Sequence, residues 1–351
     1  MGRPAGEQST FQLGNLKEFM DQIERVTMKI KIFFVGLLVS LILAACVPTE
    51  PIVSPQAVDS TLTTAPAPTK TDILTPANTP VTPAAIPQMS GPYLGQEPPG
   101  MEPEIFAAGI VSAPDSIEFS GTFSPDGSEY YFYRFSSDSV LRLLASRIVD
   151  GEWAAPEQLA FTAGYDASEP HLTLDNNRLY FMWRHPVPAG QPGLPSYFFV
   201  ERTQTGWSEP LYAGQGMFLS SNRDGQFYTT DMSSMNIDGK TYLAEITVVD
   251  GIFADYERLS IQTQSGNQAH PCISPDGSYI LFDVQGGNYL FVSFKNKDGS
   301  WGEPIDLTEH GFDPGAGGAY ISPDGKYLFF ALDRDIWWVD IGVIENLKPV
   351  E

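Results

Sequence analysis

Cysteine is nearly absent: Cys46 and Cys272 are the only two in 351 residues. That excludes the disulfide frameworks that hold small secreted domains together. Histidine is scarce too, and neither a His-x-x-x-His nor a Cys-x-x-Cys pair stands in the chain. Compact metal-ligand motifs are therefore missing, as are a Gly-x-Ser-x-Gly elbow and a phosphate-cradling glycine loop. Positive charge is in short supply, with 20 Lys and Arg against 43 Asp and Glu and a net formal charge of −23. A chain this acidic repels phosphate backbones and anionic lipid, which argues against a nucleic-acid partner. No metal or other cofactor is called for by any motif.

One apolar run interrupts the otherwise mixed sequence. Lys29 and Lys31 precede Ile32 to Leu43, and Ala44, Ala45 and Cys46 follow. A basic start, an apolar core and a small-residue exit are the parts of a secretory signal, here residues 28–45. The run is too short for the roughly 20 residues that a membrane-crossing helix requires. Its ending, Leu43-Ala44-Ala45-Cys46, resembles a bacterial lipobox. That resemblance implies lipidation of Cys46, which would begin the mature protein and attach it to a membrane through its N-terminal lipid. Residues 1–27 lack any such pattern, and Met28 opens the signal, so 1–27 read as a misassigned start. Residues 46–90 are dominated by Pro, Thr, Ala and Ser with almost no aromatics. They cannot build a core and read as a disordered, semi-extended tether with a reach on the order of 130 Å at ~3.1 Å per residue. The expected address is the cell envelope, periplasmic or on the cell surface.

Residues 91–351 carry internal repeats. Ser124-Pro125-Asp126-Gly127 returns as Ser274-Pro275-Asp276-Gly277 and Ser322-Pro323-Asp324-Gly325. Degenerate copies, Leu174-Asp175-Asn176-Asn177 and Asn222-Arg223-Asp224-Gly225, fill the interval. Pro-Asp-Gly is turn chemistry: Pro presets φ, Asp bonds its own downstream backbone, and Gly accepts positive φ. A short strand signal precedes each turn and an aromatic run follows it, as from Tyr130 to Phe135 and from Tyr279 to Val284. A third strand comes next, and then a Gly-Trp element around Trp153, Trp207 and Trp301 leads into a short outer strand. Four antiparallel strands per repeat make a propeller blade. The last repeat lacks an outer strand, and Pro103-Glu104-Ile105-Phe106-Ala107 matches Pro156-Glu157-Gln158-Leu159-Ala160. An N-terminal strand is thus expected to complete blade five. The fold class is all-β, a β-propeller of five four-stranded blades, with six blades as the alternative.

On these turns, residues 92–351 resemble the WD-like propeller repeats of TolB-like proteins. The resemblance implies a binding or scaffolding module and no enzyme activity. Fold does not fix function here, because sites are grafted onto folds.

Candidate ligand residues come from the inner strands and the loops at the channel mouth. Six residues before each turn aspartate stand Ser120, Glu169, Phe218, His270 and Gly318, and four before stand Thr122, His171, Ser220, Cys272 and Tyr320. A period of two places both rows on one strand face, so Glu169, His171, His270 and Cys272 are expected to share a tier around the channel. Tyr165, Asp166, His310 and Asp313 lie in loops at the same mouth and suit a carbohydrate or a cationic peptide. No residue is assigned a catalytic role. The leading expectation is a non-enzymatic binding or scaffold lipoprotein with a protein or carbohydrate partner in the envelope. The alternative, a glycoside hydrolase at the channel mouth, needs two carboxylates about 5–10 Å apart across a cleft.

Overall fold

The computed structural model describes residues 90–349, apart from 194, 235, 236, 238, 264–266 and 286–288. The stretches read above as a misassigned start and a signal, Cys46, and all but the last residue of the stretch read as a tether lie outside the described residues.

Five antiparallel sheets follow one another along the chain. Blade 1 holds β2 (Ile117–Phe123), β3 (Glu129–Phe135) and β4 (Leu141–Val149), with β5 (Glu152–Trp153) and β6 (Glu157–Gln158) outside. Blade 2 holds β7 (Ala167–Leu172), β8 (Arg178–Trp183) and β9 (Ser196–Thr203), edged by β10 (Gly206–Trp207) and β11 (Leu211–Gln215). Blade 3 runs β12 (Met217–Ser221), β13 (Phe227–Asp231), β14 (Tyr242–Val249), β15 (Ile252–Arg258). Blade 4 runs β16 (Asn267–Ile273), β17 (Tyr279–Gln285), β18 (Tyr289–Phe294), β19 (Ile305–Asp306). Blade 5 has β20 (Gly317–Ile321), β21 (Tyr327–Leu332) and β22 (Asp335–Asp340), and its outer strand is β1 (Glu104–Ile105) from the start of the domain. β1 pairs with β22 through Glu104 with Trp338 and Ile105 with Trp337. The expected closure by an N-terminal strand is what the chain does, and the blade count is five.

The turns explain the repeat. Ser124 Oγ donates to Asp126 Oδ1 at 2.6 Å and accepts the Glu129 N–H at 2.9 Å. Ser274 with Asp276 and Ser322 with Asp324 repeat this, and Thr173 takes the serine's part beside Asp175. Burial works against these carboxylates, but the hydroxyl and backbone donors outweigh it and hold all four below the usual range. Blade 3 departs from the rule. Ser221 pairs with Phe227, a hairpin one residue shorter than Phe123 with Tyr130. There Asn222 Oδ1 accepts the N–H groups of Asp224 and Gln226 and replaces the serine–aspartate pair.

Separate apolar clusters line the blades. The cluster at the closure gathers Phe106, Phe123, Tyr130, Phe132, Phe329 and Trp338. Trp153 joins it, and its indole N–H reaches the Gly91 carbonyl at 2.8 Å. Trp207 and Trp301 pack on the clusters of blades 1–2 and 3–4. A repeated tryptophan is thus a repeated contact at the blade edge.

Candidate functional site

Every inner strand carries a register shift: between Glu118 and Gly121, Ser168 and His171, Met217 and Ser220, Ala269 and Cys272, and Gly317 and Tyr320. Glu169, Phe218, His270 and Gly318 take positive φ of 51°, 57°, 52° and 59° inside these shifts. A bulge of this kind breaks the period of two and re-aims the residues around it. The two candidate rows therefore do not share one tier, contrary to the alternation read from the sequence.

The row four before the aspartate turns into the interfaces between blades. Thr122 Oγ1 accepts the Leu172 N–H at 3.5 Å, and Ser220 Oγ accepts that of Ile273 at 3.2 Å. Tyr320 Oη accepts the Phe123 N–H at 2.9 Å, which links blade 5 to blade 1. His171 Nε2 lies 2.9 Å from Ser221 Oγ in the same succession. Burial pushes the His171 imidazole down to about 3, so it is neutral in ordinary conditions. Cys272 packs among Ala319, Ile321 and Leu328, and burial pushes its thiol up to about 12. His171 and Cys272 are thus fasteners between blades.

Glu169 and His270 do come together around the axis. Glu169 Oε2 accepts the Phe218 N–H at 2.7 Å and the Tyr197 hydroxyl at 2.9 Å. His270 Nδ1 lies 2.7 Å from Asp283 Oδ2, which also accepts the Gly318 N–H at 2.9 Å. Burial raises the Glu169 carboxyl, against the pull of His270 and the two donors. Burial alone would lower His270, but Asp283 and then Glu169 prevail and raise it. Phe119 of blade 1 lies across this group, 5.3 Å from the His270 ring and 6.4 Å from Phe218. Gly318 makes room for it: a Cβ there would meet the Phe119 ring at 2.4 Å. Phe119, Tyr197 and Asp283 escaped the sequence reading, although Asp283 is the one charged residue in the apolar run from Tyr279 to Val284 and marks an inward-facing position.

The loop residues fall at two places. Tyr165 is exposed and stands 4.8 Å edge-on from His185, whose ring stacks on Trp183 at 4.2 Å. Asp166 accepts the Leu141 N–H at 3.1 Å and faces Arg184 at 3.6 Å. His310 and Asp313 are exposed on the connection between blades 4 and 5. Among the described residues, no three His, Cys, Asp or Glu side chains gather to hold a metal.

Open concavities lie elsewhere. A cleft of about 460 Å³ runs between the outer strands of blades 2 and 3, lined by Tyr212, Gln215, Ile252, Phe253, Tyr256 and Arg258 among others. Another of about 380 Å³ sits on the turn face beside Arg223, Asp276, Asp324 and Lys348. Neither contains a candidate residue named from the sequence.

These features define a five-bladed β-propeller whose axis is filled by side chains. No protein-family model matches the chain, and no curated protein does. Solved structures are similar at low identity and with TM-scores below 0.5. TolB from Agrobacterium tumefaciens is 18% identical over 64% of this chain and 78% of its own, with a TM-score of 0.42. A gluconolactonase from Xanthomonas campestris is 14% identical over 74% of this chain and 98% of its own, at 0.40. The GH43 protein BlXynB from Bacillus licheniformis is 11% identical at 0.43, and the match spans 65% of this chain and half of that one. At such identities and TM-scores the likeness decides nothing about this chain, and the fold rests on its own five sheets.

Proposed function

We propose that this chain is an exported, lipid-anchored propeller of the cell envelope that acts as a non-enzymatic binding or scaffold module. What supports the reading is the fate of its acid–base residues. His171 and Cys272 fasten neighbouring blades, and Glu169 and Asp283 each accept a backbone N–H from the next blade. Groups committed in this way are poor proton shuttles, because general acid–base work needs a group within reach of a substrate proton. The open surfaces are the rim and the clefts between outer strands, and they suit a partner in the envelope.

Two measurements test the reading together. The full chain, expressed with its leader in a bacterial host, is expected to incorporate palmitate and to fractionate with membranes, and Cys46→Ser is expected to lose both. Photo-crosslinkers placed around the rim are expected to trap a discrete envelope partner. Glycoside hydrolysis is the competing outcome. Release of reducing sugar from an envelope polysaccharide, abolished by Asp283→Asn with the fold intact, would replace the binding reading with an enzymatic one.

A further inference from the structure

Outer strands are short in four of the five blades. β1, β5, β6, β10 and β19 have two residues each, and β11 has five. β15 has seven, Ile252–Arg258, and only Phe253 of them is buried. Among the described residues nothing pairs with its outer edge. A long bare edge exposes a row of N–H and C=O groups that templates pairing with another strand, and proteins usually blunt it by shortening or bulging. Here the only bulge falls between Phe253 and Asp255, near the start of the strand.

The surroundings of β15 are those of a receptor edge. Ile252 is 51% exposed and Tyr256 36%, and Val249, the register partner of Ile252, is 55% exposed. The cleft of about 460 Å³ lies against the strand and is walled on its far side by Tyr212 and Gln215 of β11. Tyr256 spans to that wall, its hydroxyl donating to the Gln215 carbonyl at 2.5 Å. Arg258 is held by Asp231 at 2.7 Å and by Ser234 at 2.8 Å. Asp255 and Glu257 are exposed on the strand and have no ion-pair partner among the described residues, in a chain of net charge −23.

We propose that the free edge of β15 is a docking strand, which receives an extended, basic segment of a protein partner by strand addition. The proposal rests on the binding-module reading and names its surface and partner class. Main-chain bonds to the edge supply affinity, alternate apolar side chains enter the cleft beside Ile252 and Tyr256, and Lys or Arg meet Asp255 and Glu257. Pairing with a second copy is disfavoured by charge. An antiparallel register centred on Tyr256 sets Asp255 of one copy against Glu257 of the other, and like charges directly opposite destabilise a ladder.

The test uses the full-length protein in detergent and a fluorescent heptapeptide alternating Lys with Val. The controls are the same peptide with Glu for Lys and one N-methylated along a single edge. The Lys peptide is expected to bind and to slow hydrogen exchange in β15. The Glu and N-methylated peptides are expected to bind at least about tenfold more weakly, as is the Lys peptide to an Asp255→Lys/Glu257→Lys protein, since charge reversal acts on a steered encounter. Binding that ignores N-methylation and leaves β15 exchange unchanged would reduce the effect to charge alone and overturn the proposal, as would no binding. A dimer abolished by Ile252→Glu would assign the edge to a second copy and overturn it as well. A partner crosslinked elsewhere on the rim would sink this surface while leaving the binding module standing.

Discussion

Glu169 of the second blade accepts the backbone N–H of Phe218 in the third at 2.7 Å, where Phe218 holds a φ of 57°. The same carboxylate takes the Tyr197 hydroxyl at 2.9 Å, so one buried side chain satisfies a bulge and a phenol together. Glu169→Ala leaves both donors without this acceptor, and an unmet buried polar group costs about 1–3 kcal/mol. Glu169→Gln keeps an oxygen there and is expected to lose less. Its pH profile is expected to flatten as well. The raised carboxyl favours the folded state at low pH, and that contribution fades as pH rises through the folded value. Urea unfolding of the three proteins across pH checks both points.

The two inner-strand histidines are expected to pull stability in opposite directions. His270 is raised by Asp283 and Glu169 over the opposing effect of burial, so its contribution is complete below its unfolded value near 6.5 and is lost as pH climbs through the folded one. His171 is driven by burial down to about 3. Its contribution is complete above about 6.5 and is lost progressively as pH falls toward 3. NMR titration is expected to show His270 changing charge above the ordinary histidine range and His171 silent down to acid pH. Asp283→Asn is expected to bring the His270 titration down. A lone rise or a lone fall in stability between pH 4 and 8 on the wild-type protein, with neither His171→Gln nor His270→Gln altering its slope, would contradict the assignment.

Most of the architecture could be read from residues whose chemistry is local. The serine–aspartate turns recur because each closes a hairpin with its own side chains, and the closing strand was visible because Glu104-Ile105 repeats the Glu157-Gln158 pattern. The axis was less legible. Alternation is a rule for regular strands, and the bulges that undo it leave no mark at Glu169, Phe218 or His270. Only Gly318 announces a positive φ, by being glycine. Phe119 crosses from another blade, a contact that no local pattern encodes. The length of β15 was hidden as well, because Gly251-Ile252-Phe253 has phenylalanine where the Gly-Trp elements have tryptophan, yet it opens the longest outer strand.

Ring closure rests on a short segment. β1 pairs through only Glu104 and Ile105, but Phe106, next in the chain, is fully buried and lies 5.1–5.9 Å from the rings of Phe123, Tyr130, Phe329 and Trp338. Its N–H also donates to the Ile336 carbonyl at 2.8 Å. Phe106→Ala is expected to destabilise by about 3–5 kcal/mol, in line with large-to-small changes in packed cores. Because the lost rings lie between blades 5 and 1, hydrogen exchange is expected to quicken first in β22 and β2. Uniform acceleration across all five blades would mean that closure is no weaker than the rest of the ring.

Cys272 provides a reporter of the whole ring without any substitution. Its thiol is buried in the cluster shared by blades 4 and 5, and burial lifts it to about 12. The thiolate is the reactive species, so alkylation of the native protein at neutral pH is limited by opening of that cluster. Iodoacetamide labelling at residue 272 is expected to be negligible in buffer and complete in strong denaturant, with a midpoint that tracks global unfolding. Tyr320→Phe removes the hydroxyl that binds Phe123 across the neighbouring interface and leaves that backbone N–H without its acceptor. A loss of about 1–3 kcal/mol there should appear as roughly a 5- to 160-fold faster labelling rate under conditions where reclosing outpaces alkylation. Rapid labelling of the native wild-type protein at neutral pH would show instead that the blade 4–5 interface opens independently of the ring.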